Sequence, residues 1–174
     1  MKKEVKSKEK SSIEEKKEED SNQQDENLFT VFDLEGEEYG VEIDMMNEII
    51  RDLDISRIPG SSDDVLGAVN LRGEVIPVID LKKILDIGST GDEVKETMII
   101  QINERRFAAP VDRLKDIVSS EKDQLVDPSD ITNLDDKRLK WIMKLETGRT
   151  IRVLNIRNLV DNEIGKIETS IEKQ

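Results

Sequence analysis

Apolar residues along this chain recur in short runs with a period of two, broken at close intervals by turn chemistry. The runs at 28–34 (LFTVFDL) and 37–43 (EEYGVEI) flank Glu35-Gly36 and predict a hairpin with a tight turn. The same alternation predicts strands at 66–72 and 74–80 joined at Gly73, and at 97–102 and 106–111 around Asn103-Glu104-Arg105. A further pair at 139–146 and 149–155 meets at Thr147-Gly148. Between these runs the pattern predicts short helices at 44–50, 81–86, 112–118 and 156–160. Many short strands at close spacing point to an all-β fold with short helices, a barrel or sandwich and not a parallel α/β sheet.

The pattern also repeats. Tyr39–Ile50 aligns without gaps on Phe107–Val118 at an offset of 68, matching Ile43 with Val111, Asp44 with Asp112, Met46 with Leu114, Glu48 with Asp116 and Ile49 with Ile117. A second block, Gly73–Leu85, aligns on Gly148–Val160 at an offset of 75. Two blocks recurring in the same order predict two copies of one unit, 28–93 and 94–160. A barrel of that size has a marginal core alone, so two copies packed together would share apolar surface. GSTGDE (88–93) has the composition of a bridge between them. Asp44, Asp80, Asp112 and Asn155 each end a strand pattern before a helical one, where a short acceptor side chain caps free N–H groups. The copies differ at Asn70-Leu71-Arg72, which becomes Leu145-Glu146-Thr147, and at Pro77, which becomes Arg152.

Composition narrows the function. The 174 residues carry a net charge of −13 and contain no histidine and no cysteine. Disulfides, thiolate chemistry, phosphohistidine and the commonest general base are thereby excluded. The acidity argues against nucleic acid and anionic membrane surfaces as partners. Residues 1–27 hold seven Lys and nine Asp or Glu, with Met1, Val5 and Ile13 the only apolar side chains. Such a segment cannot bury enough surface to offset chain entropy, and a disordered, charged N-terminal tail is expected, with a second tail at 161–174. No apolar run is long enough for a signal peptide or a membrane helix, which predicts a cytoplasmic protein without membrane insertion.

Candidate chemistry is sparse. The chain has no phosphate-cradling G-x-x-x-x-G-K-[ST] or G-x-G-x-x-G and no calcium loop, so no cofactor and no metal site is expected. Ser62-Asp63-Asp64 and Asp52-x-Asp54 are acidic clusters that could hold a cation, and paired carboxylates could in principle serve a metal-dependent hydrolase. Three Phe, one Trp and one Tyr leave little aromatic platform for a sugar, and Trp141 is expected in the core of the second unit. A non-enzymatic, acidic protein-interaction module fits this inventory better.

One stretch is more specific. Leu66-Gly-Ala-Val-Asn-Leu-Arg-Gly-Glu-Val-Ile-Pro-Val-Ile-Asp-Leu81, preceded by Glu42-Ile-Asp-Met-Met-Asn-Glu-Ile-Ile50, resembles the CheW family, the coupling proteins of bacterial chemotaxis. The resemblance spans about 28–160 and is strongest in NLRG…PVIDL; Lys82 stands where the family often has Arg. It implies two tandem SH3-like five-stranded β-barrels sharing an interdomain core. It also implies an adaptor between the cytoplasmic tip of chemoreceptors and the regulatory domain of a CheA-type histidine kinase, recruited to membrane-associated arrays. Met46, Ile49 and Val69 become candidate anchors for a receptor helix in a groove between the halves. Glu48 and Arg72 become a charged pair beside the partner surfaces, acting as a bidentate bridge or as an ordinary exposed ion pair. Gly67, Asn70 and Gly73 belong to the same stretch, the two glycines suiting turns.

Overall fold

The strands form where a half-buried, twice-repeating pattern meets residues that can turn. In the structure, a computed structural model that describes residues 26–131 and 136–162, they are β1 (Asn27–Leu34), β2 (Glu37–Glu42), β3 (Met46–Arg51), β4 (Val65–Leu71), β5 (Glu74–Ile79) and β6 (Glu96–Ile102). After these come β7 (Arg105–Val111), β8 (Arg113–Ser120), β9 (Leu125–Val126), β10 (Leu139–Lys144) and β11 (Thr150–Leu154). The tails expected at 1–27 and 161–174 lie outside the described residues, apart from Glu26, Asn27, Asp161 and Asn162. All four predicted hairpins are present, as β1–β2, β4–β5, β6–β7 and β10–β11. At Glu35-Gly36 and Arg72-Gly73 both turn residues have positive φ (52° and 80°, 50° and 87°), the conformation that matches the twist of a two-residue hairpin.

Two of the expected helices are strands. The segment 44–50 makes only a 3-10 turn, Ile43–Met45, before entering β3, and 112–118 lies in β8. In β3 the half-buried Met46, Glu48 and Ile50 alternate with the exposed Asn47, Ile49 and Arg51, a period of two that short apolar runs do not separate from a helix turn. Pairing of β3 with β6 and of β8 with β1 decides the matter. The short helices at Leu81–Ile84 and 156–162 form as expected. Asp80 caps the first, accepting from the Lys82 and Lys83 N–H groups at 3.1 and 3.4 Å, and Asn155 accepts from the Asn158 N–H at 3.2 Å. Asp44 and Asp112 are not helix caps, because strands follow them. Asp112 instead accepts the Glu35 N–H at 2.8 Å and pairs with the Lys82 Nζ at 2.7 Å.

The strands assemble into a six-stranded sheet of order β8-β1-β2-β11-β10-β9 and a five-stranded sheet of order β3-β6-β7-β5-β4. The expected division at 28–93 and 94–160 is therefore not the division of the sheets. The first hairpin of each copy, β1–β2 or β6–β7, is inserted into the sheet of the other copy. The repeat itself is faithful: the parallel pairs Gly40↔Val153 and Ala108↔Val78 occupy matching positions at the offsets of 68 and 75. The physical reason for the exchange is burial on two faces. In β1, Phe29 and Val31 enter a core with Met143, Ile151 and Val153, while Phe32 and Leu34 point the other way. In β6 and β7, Ile99 and Ala108 pack with Val69, Ile76 and Val78, while Met98, Ile100, Phe107 and Ala109 join Phe32, Leu34, Tyr39 and Val41. Each sheet has its own small core, and a third, larger core lies between them. Trp141, expected in the core of the second unit, is instead half-buried against the core of the six-stranded sheet, which Phe29 and Val31 of the first unit help to form.

Both sheets curl back on themselves in the same way. The chain leaving β3 swings round so that Ser56 pairs with Ala68 on the free edge of β4, with N···O distances of 2.9 and 2.8 Å. The chain leaving β8 does the same, and there β9 pairs with β10. Gly67 serves this closure and not a turn: it lies at an irregularity in β4, and a Cβ there would come within 2.2 Å of the Ser56 carbonyl oxygen. Gly67→Ala is expected to destabilise the fold by at least about 2 kcal/mol, since the clash is with backbone. Urea unfolding checks this, read as a lowered midpoint with an unchanged slope.

Candidate partner-binding surface

The two edge strands of the five-stranded sheet, β3 and β4, carry most of the candidate residues, and a charged clamp joins them. Arg72, at the tip of β4–β5, donates from its two terminal guanidinium nitrogens to the two carboxylate oxygens of Glu48 on β3, each at 2.8 Å. The side chain of Arg72 is 70% exposed and that of Glu48 23%, so the pair sits at the surface with its basic half outermost. Hydrogen bonding from Arg72 holds the Glu48 carboxyl below its ordinary value and, reciprocally, raises that of Arg72. Asn70 is exposed on β4, where its Oδ1 accepts the Gly73 N–H at 3.0 Å and shapes the turn that presents Arg72. The bidentate bridge is thus formed, between a strand and a hairpin tip.

The apolar candidates separate. Ile49 lies opposite Met98, and Met46 opposite Ile100, on the face of the sheet that buries Met98 and Ile100 in the shared core. Ile49 is 43% exposed and Met46 half-buried, and neither packs into that core, whose partly buried apolar neighbours are Ile84, Ile87, Leu114 and Leu139. Val69 is not available as an anchor: it is buried with Ile76 and Val78 inside the five-stranded sheet, because alternation in β4 turns it inward. Gly67 is buried as well and acts through closure of the sheet. Sequence reasoning missed Val75, which is 69% exposed beside Asn70 and Arg72. The signal was available, since with Ile76 and Val78 inward, the alternation in β5 sends Val75 outward.

A second clamp occupies the equivalent place in the six-stranded sheet. Arg149, beside the β10–β11 turn, donates to Asp116 on β8 at 2.8 and 3.0 Å and to Glu38 on β2 at 3.0 Å. Lys115 adds contacts of 2.6 Å to Glu38 and 3.1 Å to Asp33. The repeat pairs Glu48 with Asp116, but Arg149 aligns with Glu74 and not with Arg72, so residue matching does not reveal the second clamp. Between the sheets, the Nζ of Lys82 reaches Glu35 at 2.5 Å and Asp112 at 2.7 Å with only 9% of its side chain exposed. Burial there opposes the charge, and the two carboxylates outweigh it and raise the ammonium's pKa. Among the described residues no three carboxylates converge as a cation site, and no helix is long and apolar enough to cross a membrane.

The second clamp has a pH consequence. Hydrogen bonding from Arg149 holds both Glu38 and Asp116 below their ordinary values, so in the acid range the unfolded chain binds more protons than the folded one. The stability they contribute is complete above the ordinary carboxylate range near pH ~4 and is lost as pH falls through the lower folded-state values. Urea midpoints measured from neutral to acid pH are expected to drop less steeply in Arg149→Met than in the parent, starting from a lower value at neutrality.

Residues 28–163 match the family profile of the CheW-like domain. The chemotaxis protein CheW of Thermotoga maritima is 29% identical over 133 residues, covering 75% of this chain and 85% of that protein. CheW of Bacillus subtilis is 29% identical over 136 residues, covering 76% and 86%. The crystal structure of the scaffolding protein TtCheW from Thermoanaerobacter tengcongensis superposes with a TM-score of 0.70 at 28% identity, over 78% of this chain and 93% of that one. With the profile spanning both sheets and the chain following these relatives over most of their length, this protein belongs to the CheW-like domain family of chemotaxis scaffolding proteins.

Proposed function

We propose that this protein is a non-enzymatic adaptor that couples the cytoplasmic tips of chemoreceptors to the regulatory domain of a CheA-type histidine kinase and so controls the kinase within receptor arrays. The observation that carries this reading is the surface around the Glu48–Arg72 clamp. There an exposed guanidinium is held bidentately by Glu48, the chain neighbour of the exposed Ile49 on β3, and stands at the tip of the hairpin whose β5 strand carries the exposed Val75. Rigid strands presenting a few apolar anchors beside fixed polar groups suit recognition without reaction. A receptor helix laid along β3 would meet Met46 and Ile49, and a second small barrel would meet the β4–β5 hairpin. Asn70 contributes by fixing the turn.

The absence of histidine and cysteine from the sequence agrees with a role beside a phosphorelay and not within it. Membership of a family whose relatives are named as chemotaxis and scaffolding proteins supports the pathway. Association with membrane arrays would come through the receptors, because residues 28–174 carry −11 and offer no basic attraction to an anionic bilayer.

Arg72→Glu is expected to abolish capture of kinase in a ternary pull-down with a receptor-tip fragment while leaving the circular dichroism spectrum unchanged. A folded variant with full coupling would sink the assignment of this surface. Ile49→Glu is expected to weaken binding of the receptor-tip fragment by at least about tenfold, read by titration, with little change in unfolding midpoint because the side chain is already part-exposed.

A further inference from the structure

The arrangement of seams between strands has a consequence for the molecule as a mechanical object. Apart from the four hairpins and the short closing pairs, four seams build the two sheets: β1 with β8, β2 with β11, β3 with β6, and β5 with β7. Every one of them joins a strand that precedes the loop at 86–95 to a strand that follows it. Many of the ion pairs run the same way: Asp33–Lys115, Glu38–Lys115, Glu38–Arg149, Glu42–Lys140, Arg51–Glu96, Glu74–Arg106 and Lys82–Asp112 cross that loop in sequence, while Glu48–Arg72, Glu35–Lys82 and Asp116–Arg149 stay within one side of it. The shared core likewise draws Phe32, Leu34, Tyr39 and Val41 from one side, and Met98, Ile100, Phe107 and Ala109 from the other.

We propose that the two sheets form one interlocked folding unit made of two mutually dependent chain halves, with the loop around Gly91 serving as a dispensable covalent tether and not as a hinge between barrels. Neither half owns a complete sheet: the first contributes two strands to the six-stranded sheet and three to the five-stranded one, and the second supplies the rest. An isolated half would leave each hairpin with apolar side chains exposed on both faces and strand edges unpaired, which few residues of core could offset. With both halves present, cutting the tether changes only the effective concentration at which they meet. The partner that fits each half is the other half.

Hydrogen exchange on the unmodified chain and cleavage of a chain carrying a protease site between Gly91 and Asp92, both of which are exposed, together test this. In exchange at rising urea, the slowest amides of β1, β2 and β11 are expected to merge with those of β5, β6 and β7 into a single global opening. After cleavage, the two fragments are expected to elute together at the volume of the uncut protein at about 1 µM. They should unfold in one transition whose midpoint rises with concentration, as the uncut protein's does not. Two separate opening levels in exchange, one for each sheet, would overturn the proposal whether or not the insertion variant folds. So would fragments that part under native conditions, or a cut protein that melts in two steps.

Discussion

The pairing of β2 with β11 and of β5 with β7 is the constraint on which the rest of the structure rests. Each pairing is parallel, and each inserts the first hairpin of one repeat beside the last hairpin of the other. Parallel neighbours cannot be joined by a tight turn, so the chain travels through other elements between them. Once β1–β2 and β6–β7 are placed there, both must be apolar on two faces. The fully buried Phe29, Phe32, Phe107, Met98, Ile99 and Ile100 show how completely the sequence meets that demand. The shared core is thus a consequence of strand connection, and it gives two marginal sheets a common stability.

Electrostatics acts on this frame mostly as edge control. Open strand edges invite further pairing, and charged side chains, bulges and short closing segments limit it. Here β3 and β8 each carry a carboxylate that grips an arginine at or beside a hairpin turn, through Glu48–Arg72 and Asp116–Arg149. The two clamps differ in exposure and in partners. Arg149 is drawn inward by two carboxylates, whereas Arg72 stands largely in solvent on a single one. The same device can therefore be structural in one sheet and offered to a partner in the other. The acidity of the chain is partly taken up by such pairs.

Much of this could be read from the sequence, and the failures share a cause. The hairpins at Glu35-Gly36 and Arg72-Gly73, the two-copy repeat and the Asp80 cap are local matters of turn chemistry and alternation, and they came through. Segments 44–50 and 112–118 misread because a half-buried edge strand with a charged outer face has the composition of a short helix, and only the neighbouring strand decides. Val69 misread because its motif says which stretch is special but not which way each side chain points, while Val75 escaped for the same reason. Gly67 looked like a turn glycine because the carbonyl that forbids a Cβ belongs to Ser56, whose approach no local pattern announces.

By itself the sequence determined the class of the fold, its duplicated character, its family and the absence of any histidine or thiol chemistry. Each of these depends on residue type and near-neighbour order, which a chain carries whether folded or not. The tertiary structure alone decided that the repeats exchange hairpins, that Glu48 and Arg72 meet from opposite edges of a sheet, and which apolar residues of the conspicuous motif remain outside. Those outcomes depend on contacts between residues far apart in the chain. A periodic pattern fixes a face but not the neighbour that covers it.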